Sequence, residues 1–186
     1  MRTHSSPQSP VPVDLPVAAR IHAAVERFGE AEVVDRAILL LNGGNAGEEF
    51  LLYAGGKHAQ GLLDGAPALY WPELWGARVL LHVWDPKAGT AILANLDNQS
   101  WRVREMCARV SQERHLNVLP RIVELTEDEV PRVRIAALRA LAALGSEADA
   151  ETIAARLRDP DKEVRRAAQQ SRDALRDRTR TEKPHS

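Results

Sequence analysis

The chain has 186 residues, a formal net charge of −1 and 44% hydrophobic residues, enough for a folded domain with a core. No apolar run approaches the roughly 20 residues of a membrane span, a single cysteine excludes an internal disulfide, and the charge balance gives no overall pull towards nucleic acid or anionic lipid. A reducing, cytoplasmic setting is expected, with no membrane contact. In chain order, residues 1–15 are rich in Ser and Pro and read as a disordered tail. Val17 to Phe28 and Glu30 to Leu41 carry apolar residues at i, i+3, i+4 spacing, with Gly29 as punctuation. Residues 42–70 hold seven glycines around short apolar runs and read as short helices joined by tight turns. They make 16–70 the irregular part of a single domain expected over 16–178, with repeats over 71–178 and a frayed tail at 179–186.

Beyond residue 70 the chain repeats itself. Trp101-Arg-Val-Arg-Glu-Met-Cys-Ala108, Pro131-Arg-Val-Arg-Ile-Ala-Ala-Leu138 and Lys162-Glu-Val-Arg-Arg-Ala-Ala-Gln169 align, with the Val-Arg pairs 30 and then 31 residues apart. An acid precedes each pair: Asp97, Asp128 and Asp159. Trp75-Gly-Ala-Arg78 reads as a degenerate fourth copy, 26 residues ahead of Trp101-Arg-Val-Arg104. Each unit holds two helical patterns, the first over 87–96, 116–126 and 148–158, the second over 72–84, 100–114, 130–144 and 161–176. Val133, Ala136, Ala137, Ala140, Leu141 and Leu144 form one apolar stripe, and Gly145 ends it. A hairpin of this size cannot bury such a stripe alone, so neighbours are expected to stack with the three valines inward.

The pattern Asp-x-x-x-x-Val-Arg-x-x-Ala-Ala resembles the short HEAT repeats of phycobilin lyase subunits over residues 97–176, and in part over 64–96. The resemblance implies an all-α fold, a right-handed α-solenoid of HEAT-type helical hairpins. It also implies binding of other proteins, or a lyase-subunit or chaperone-like role. In such repeats Asp and Arg tie neighbouring hairpins together, which is one reading of Arg104, Arg134 and Arg165. The other is an arginine row that grips phosphate or an acidic segment.

Four tryptophans lie within 31 positions: Trp71, Trp75, Trp84 and Trp101. Trp84 aligns with the core row of Val110 and Ala140. Trp75 and Trp101 are expected at equivalent starts of successive second helices, where paired aromatics anchor a peptide or stack a base. Tyr70, Trp71, Glu73 and Arg78 extend that cluster. The binding surface is therefore expected at Trp71, Trp75, Arg78, Trp101, Arg102 and Arg104, with a protein or peptide as partner. The combination of Trp and Arg also resembles HEAT-like alkylpurine DNA glycosylases, which implies nucleic acid as the alternative partner. The catalytic acid of that family has only Glu105 as its counterpart, four residues after Trp101.

No catalytic set, metal site or cofactor is identified, and the chain reads as a scaffold rather than an enzyme. Gly55-Gly56-Lys57-His58 lacks the first glycine and the hydroxyl residue of a phosphate loop. Cys107 aligns with Ala137 and Ala168 and reads as a small core residue. His82 and Asp85 offer two metal ligands without a third.

Overall fold

The computed structural model describes residues 10–182, and among these the regular structure is helical, with no strand. Two compact units emerge, one ending at Val83 and one beginning at Trp84. The boundary falls inside the segment read as repeats. Of the expected tails, residues 1–9 and 183–186 lie outside the described residues. Within the described part, Arg20 donates to the Leu15 carbonyl at 2.6 Å, and the last helix runs to Glu182.

In the first unit, α1 (Val17–Phe28) and α2 (Glu30–Leu41) form with the bounds the periodicity gives. Gly29 joins them at φ 84°, a conformation that costs glycine little. The glycine-rich segment resolves into α3 (Glu48–Gly55) and α4 (Lys57–Leu63), and α5 (Trp71–Val79) follows. Helix α5 packs on α2, and Gly76 is the reason they come so close. A Cβ there would lie 2.6 Å from both the Ala37 oxygen and the Leu41 nitrogen. The buried Arg20 holds the end of α3, with Nε donating to the Tyr53 carbonyl (2.9 Å) and Nη2 to Ala54 (3.4 Å). Those carbonyls have no partner within the helix, and the guanidinium meets the negative end of its dipole. Burial, then the nearby Arg78 charge, pull the Arg20 pKa below its ordinary value.

Among the described residues the second unit holds three helical hairpins. A 3-10 turn (Pro86–Ala88) leads into α6 (Gly89–Asn95), which packs on α7 (Trp101–Glu113). Helix α8 (Leu119–Leu125) packs on α9 (Pro131–Leu144), and α10 (Ala150–Ala155) on α11 (Lys162–Glu182). The second helices α7, α9 and α11 then pack in succession. Val103, Val133 and Val164 are all 0% exposed, as the stacking of hairpins requires. Ile122, Leu138, Leu141 and Ile153 complete a continuous apolar interior. Cys107 is buried in the same row, and desolvation raises its thiol pKa well above the ordinary value, so it packs rather than reacts. The far end of α11 is also secured, because Arg178 donates to the Ala142 carbonyl (3.2 Å) and to the Gly145 carbonyl at the end of α9.

Two expectations about the upstream copy change. The second-helix pattern read over 72–84 stops at Val79, where Leu81 and His82 make three-residue turns back to Arg78 and Val79 ahead of Pro86. Trp84 therefore lies outside any helix, half-buried beside Arg114, whose Cζ is 5.6 Å from its ring centroid. His82 and Asp85 do not share a helix face. Asp85 accepts from the Lys87 N–H at 2.9 Å and caps the 3-10 turn, and among the described residues no group of three metal-ligating side chains occurs.

Candidate functional site

The repeated arginines have a shared geometry. In each hairpin the Val-Arg pair falls in the first turn of the second helix, and the arginine Nη1 reaches back to two carbonyls of the preceding loop. Arg104 Nη1 donates to Asn98 O (2.9 Å) and Gln99 O (3.1 Å). Arg134 Nη1 donates to Asp128 O (2.7 Å) and Glu129 O (3.3 Å), and Arg165 Nη1 to Asp159 O (2.8 Å) and Pro160 O (3.0 Å). The opposite edge of the guanidinium points onward. Arg104 Nε and Nη2 grip the Asp128 carboxylate at 2.8 and 3.0 Å, and Arg134 grips Asp159 in the same way at 2.9 and 2.8 Å. Each arginine thus bonds the acid of the following hairpin, 24 or 25 residues ahead. These forked pairs are nearly dry, with side-chain exposures of 11% and 7% for the first and 10% and 2% for the second. They tie adjacent hairpins together, and Arg104 is consequently not available to a partner.

In the first hairpin an asparagine, not an acid, holds the turn before the arginine. The structural counterpart of Asp128 and Asp159 is Asn98, not Asp97, because each lies six residues before its arginine. Each also closes the same turn, with the side-chain oxygen accepting from the backbone N–H two residues on: Ser100 (2.8 Å), Val130 (2.8 Å) and Asp161 (2.9 Å). Asp97 instead pairs with Arg121. A constant six-residue interval to the arginine, rather than the type of acid, was the signal that identifies this position.

The six residues read as a surface divide between the two units. In the first unit, Trp75 is 1% exposed and lies in the middle of α5, not at a helix start. Its ring fills the space left by Gly55, where a Cβ would come within 2.7 Å of Trp75 Cε3 and Cζ3. Trp75 is therefore a core residue and cannot contact a partner. Trp71 is the residue that opens α5, half-buried, stacked on Trp75 with centroids 6.2 Å apart. His58 lies 4.1 Å and Tyr70 5.1 Å from the Trp71 ring, so the exposed His58 and the half-buried Tyr70 and Trp71 form one aromatic cluster. Arg78 sits in the last turn of α5, unlike Arg104 in the first turn of α7, and the two are not repeat equivalents. An apolar cleft of about 320 Å³ lies elsewhere in the unit, lined by Leu40, Leu51, Leu62, Leu63 and Pro72.

In the second unit Trp101 is the first residue of α7 and half-buried. The Arg102 guanidinium carbon is 4.3 Å from its ring centroid and that of Arg132, from the next hairpin, is 5.7 Å away. Both distances are within the range of cation–π attraction. Glu105, the counterpart of the glycosylase acid, contacts Arg132 at 3.4 Å and is an ion-pair partner on this edge. Arg132 keeps 68% of its side chain exposed. The half-buried Trp101 ring therefore has two guanidiniums, those of Arg102 and Arg132, within cation–π range.

Residues 89–178 match the family of HEAT repeats, and this segment is a HEAT-repeat region. The match covers all three hairpins and the Arg–Asp pairs, and does not extend to the Trp75–Arg78 segment. No curated protein matches the chain.

Proposed function

We propose that this chain, whose residues 89–178 are a HEAT-repeat region, is a binding scaffold that engages a protein or peptide through Trp101, Arg102 and Arg132. HEAT repeats commonly mediate protein interactions, and no helix among the described residues is long and apolar enough to cross a membrane. The observation that carries the reading is the half-buried Trp101 ring with guanidiniums from two successive hairpins within cation–π range. Partly exposed Trp and Arg are the residue types that dominate binding energy at interfaces. An apolar side chain laid on the indole with a carboxylate beside it satisfies both kinds of group. Trp71, with His58 and Tyr70, is a second aromatic surface in the other unit and is a secondary contact in this reading.

Nucleic acid is not the partner assigned. A phosphate backbone needs a row of available cations, and Arg104 and Arg134 are already forked onto Asp128 and Asp159. The test is capture from cell extract by the wild type and by Trp101→Ala, with both shown folded by circular dichroism. Loss of a defined set of captured proteins from the variant is the expected result. Equal capture by the two folded proteins rejects this surface.

A further inference from the structure

The Arg–Asp ties run through the second unit as a short ladder, and its two ends differ from its middle. At the first turn the acid is replaced by Asn98, which keeps the backbone cap but offers no carboxylate. At the far end Arg165 has the inner half of the arrangement and lacks the outer half. Its Nη1 is held by the Asp159 and Pro160 carbonyls at 2.8 and 3.0 Å, while its Nε–Nη2 edge meets no carboxylate among the described residues. Because the guanidinium is rigid and planar, fixing Nη1 through two bonds also fixes the direction of the opposite edge. The same constraint holds Arg104 and Arg134, where that edge takes an aspartate with two bonds of 2.8–3.0 Å.

The face around Arg165 states what kind of group can come there. With the 31-residue offset, Arg165, Gln169 and Arg172 of α11 correspond to Arg134, Leu138 and Leu141 of α9. The α9 residues are buried, whereas the α11 residues are exposed. Two leucines that carry the packing between second helices are thus replaced by glutamine and arginine. Such a face does not bury a fourth apolar helix, and polar outer faces are how helical arrays end. What persists from the repeat is only the cationic fork, with Arg172 two turns further along the same face.

We propose that Arg165 is a docking point for an acidic segment of a partner protein. An aspartate at the turn of that segment takes the Nε–Nη2 edge as Asp128 and Asp159 do within the chain, and Arg172 receives a neighbouring acid. This site is separate from Trp101 and does not depend on it.

The chain itself supplies a probe, since Glu124-Leu-Thr-Glu-Asp-Glu-Val130 is the loop sequence that fills the Arg104 fork and is strongly acidic. A synthetic peptide of this sequence is titrated to millimolar concentration into the full chain, while arginine Nε–Hε signals are followed by NMR. The expected result is a saturable shift at Arg165, smaller movement at Arg172, and none at Arg104 or Arg134. Arg165→Lys, which keeps the charge but not the fork, is expected to weaken binding about tenfold or more, and a peptide with asparagine in place of its aspartate equally so. Arg166→Ala, one residue away on the same helix, is expected to bind as the wild type. Absence of a saturable shift at Arg165 overturns the proposal. Equal weakening by Arg165→Lys and Arg166→Ala, or indifference to the asparagine peptide, also overturns it, because general charge attraction then explains the binding.

Discussion

The two units bury comparable interiors by different means. From Trp84 onward one hairpin plan recurs, and the same arginine position bonds backwards to two carbonyls and forwards to one acid. Among the described residues up to Val83 that plan does not recur: glycines at 29, 43, 47, 56 and 65 take positive φ, and Arg20 caps α3. In the first unit close approach is bought by missing side chains, at Gly76 between α2 and α5 and at Gly55 beneath Trp75. In the second it comes from matched apolar rows closed by ion pairs. Repetition makes a structure tolerant of change at any one rung only where the rung is solvated, and these rungs are buried.

That contrast is open to direct attack. The largest effect is expected from Arg134→Ala, which leaves the Asp159 carboxylate dry and unpaired. A loss of about 3–5 kcal/mol is expected in urea unfolding, with hydrogen exchange quickened in α9 and α11 and unchanged in α1 and α2. A loss below 1 kcal/mol would mean that the rung is solvated and the comparison wrong. Gly76→Ala makes the complementary break in the first unit. Its new methyl meets backbone at 2.6 Å, so overpacking of about 1–3 kcal/mol is expected, with quickened exchange confined to α2 and α5.

Acid sharpens the same point. Burial alone raises the Asp159 pKa, but the forked bond from Arg134, the Asp161 N–H, and the Arg134 and Arg156 charges outweigh it and hold it below the ordinary carboxylate value. A folded-state pKa below the unfolded one gives stability that is present above the unfolded value of about 3.9 and lost as the pH falls through the folded value. The urea midpoint of the wild type should therefore drop below about pH 4, and Asp159→Asn, weaker at neutral pH, should drop less over that interval. Parallel curves for the two proteins would exclude Asp159 as a source of the acid sensitivity.

The smallest effect has the opposite sign. Ser171 occupies the core row of Val110 and Ala140, and its buried hydroxyl has no partner, whereas the buried Ser111 hydroxyl donates to the Cys107 carbonyl at 2.8 Å. Ser171→Ala restores the residue used by the neighbouring repeat and should stabilise by about 1 kcal/mol, seen as a raised melting temperature.

How much of this was legible in the sequence follows the range of each interaction. Helical periodicity is a property of residues three and four apart, so α1, α2 and the three Val-Arg helices were readable, along with the inward valines and the inert Cys107. Punctuation by glycine is equally local and located the short helices of 42–70. The candidate surface was readable only in part. Trp101 and Arg102 stay on the proposed surface, Arg104 is a tie between hairpins, and Trp75 is core, because a match of Trp-x-x-Arg spacing says nothing about where a helix begins. The apparent equivalence with Trp101 failed once α5 began at Trp71 and placed Trp75 over Gly55.

The sequence by itself determined that helical hairpins recur every 30 or 31 residues and that one stripe of each faces inward, since both follow from local backbone geometry and the cost of leaving apolar surface in water. Tertiary structure alone decided which oxygen each guanidinium takes, which tryptophan stays in reach of solvent, and which arginine is left with a vacant edge. Those outcomes depend on whether the described residues deliver a carboxylate 24 or 25 residues later, as they do for Arg104 and Arg134, and spacing within a single helix carries no information about that.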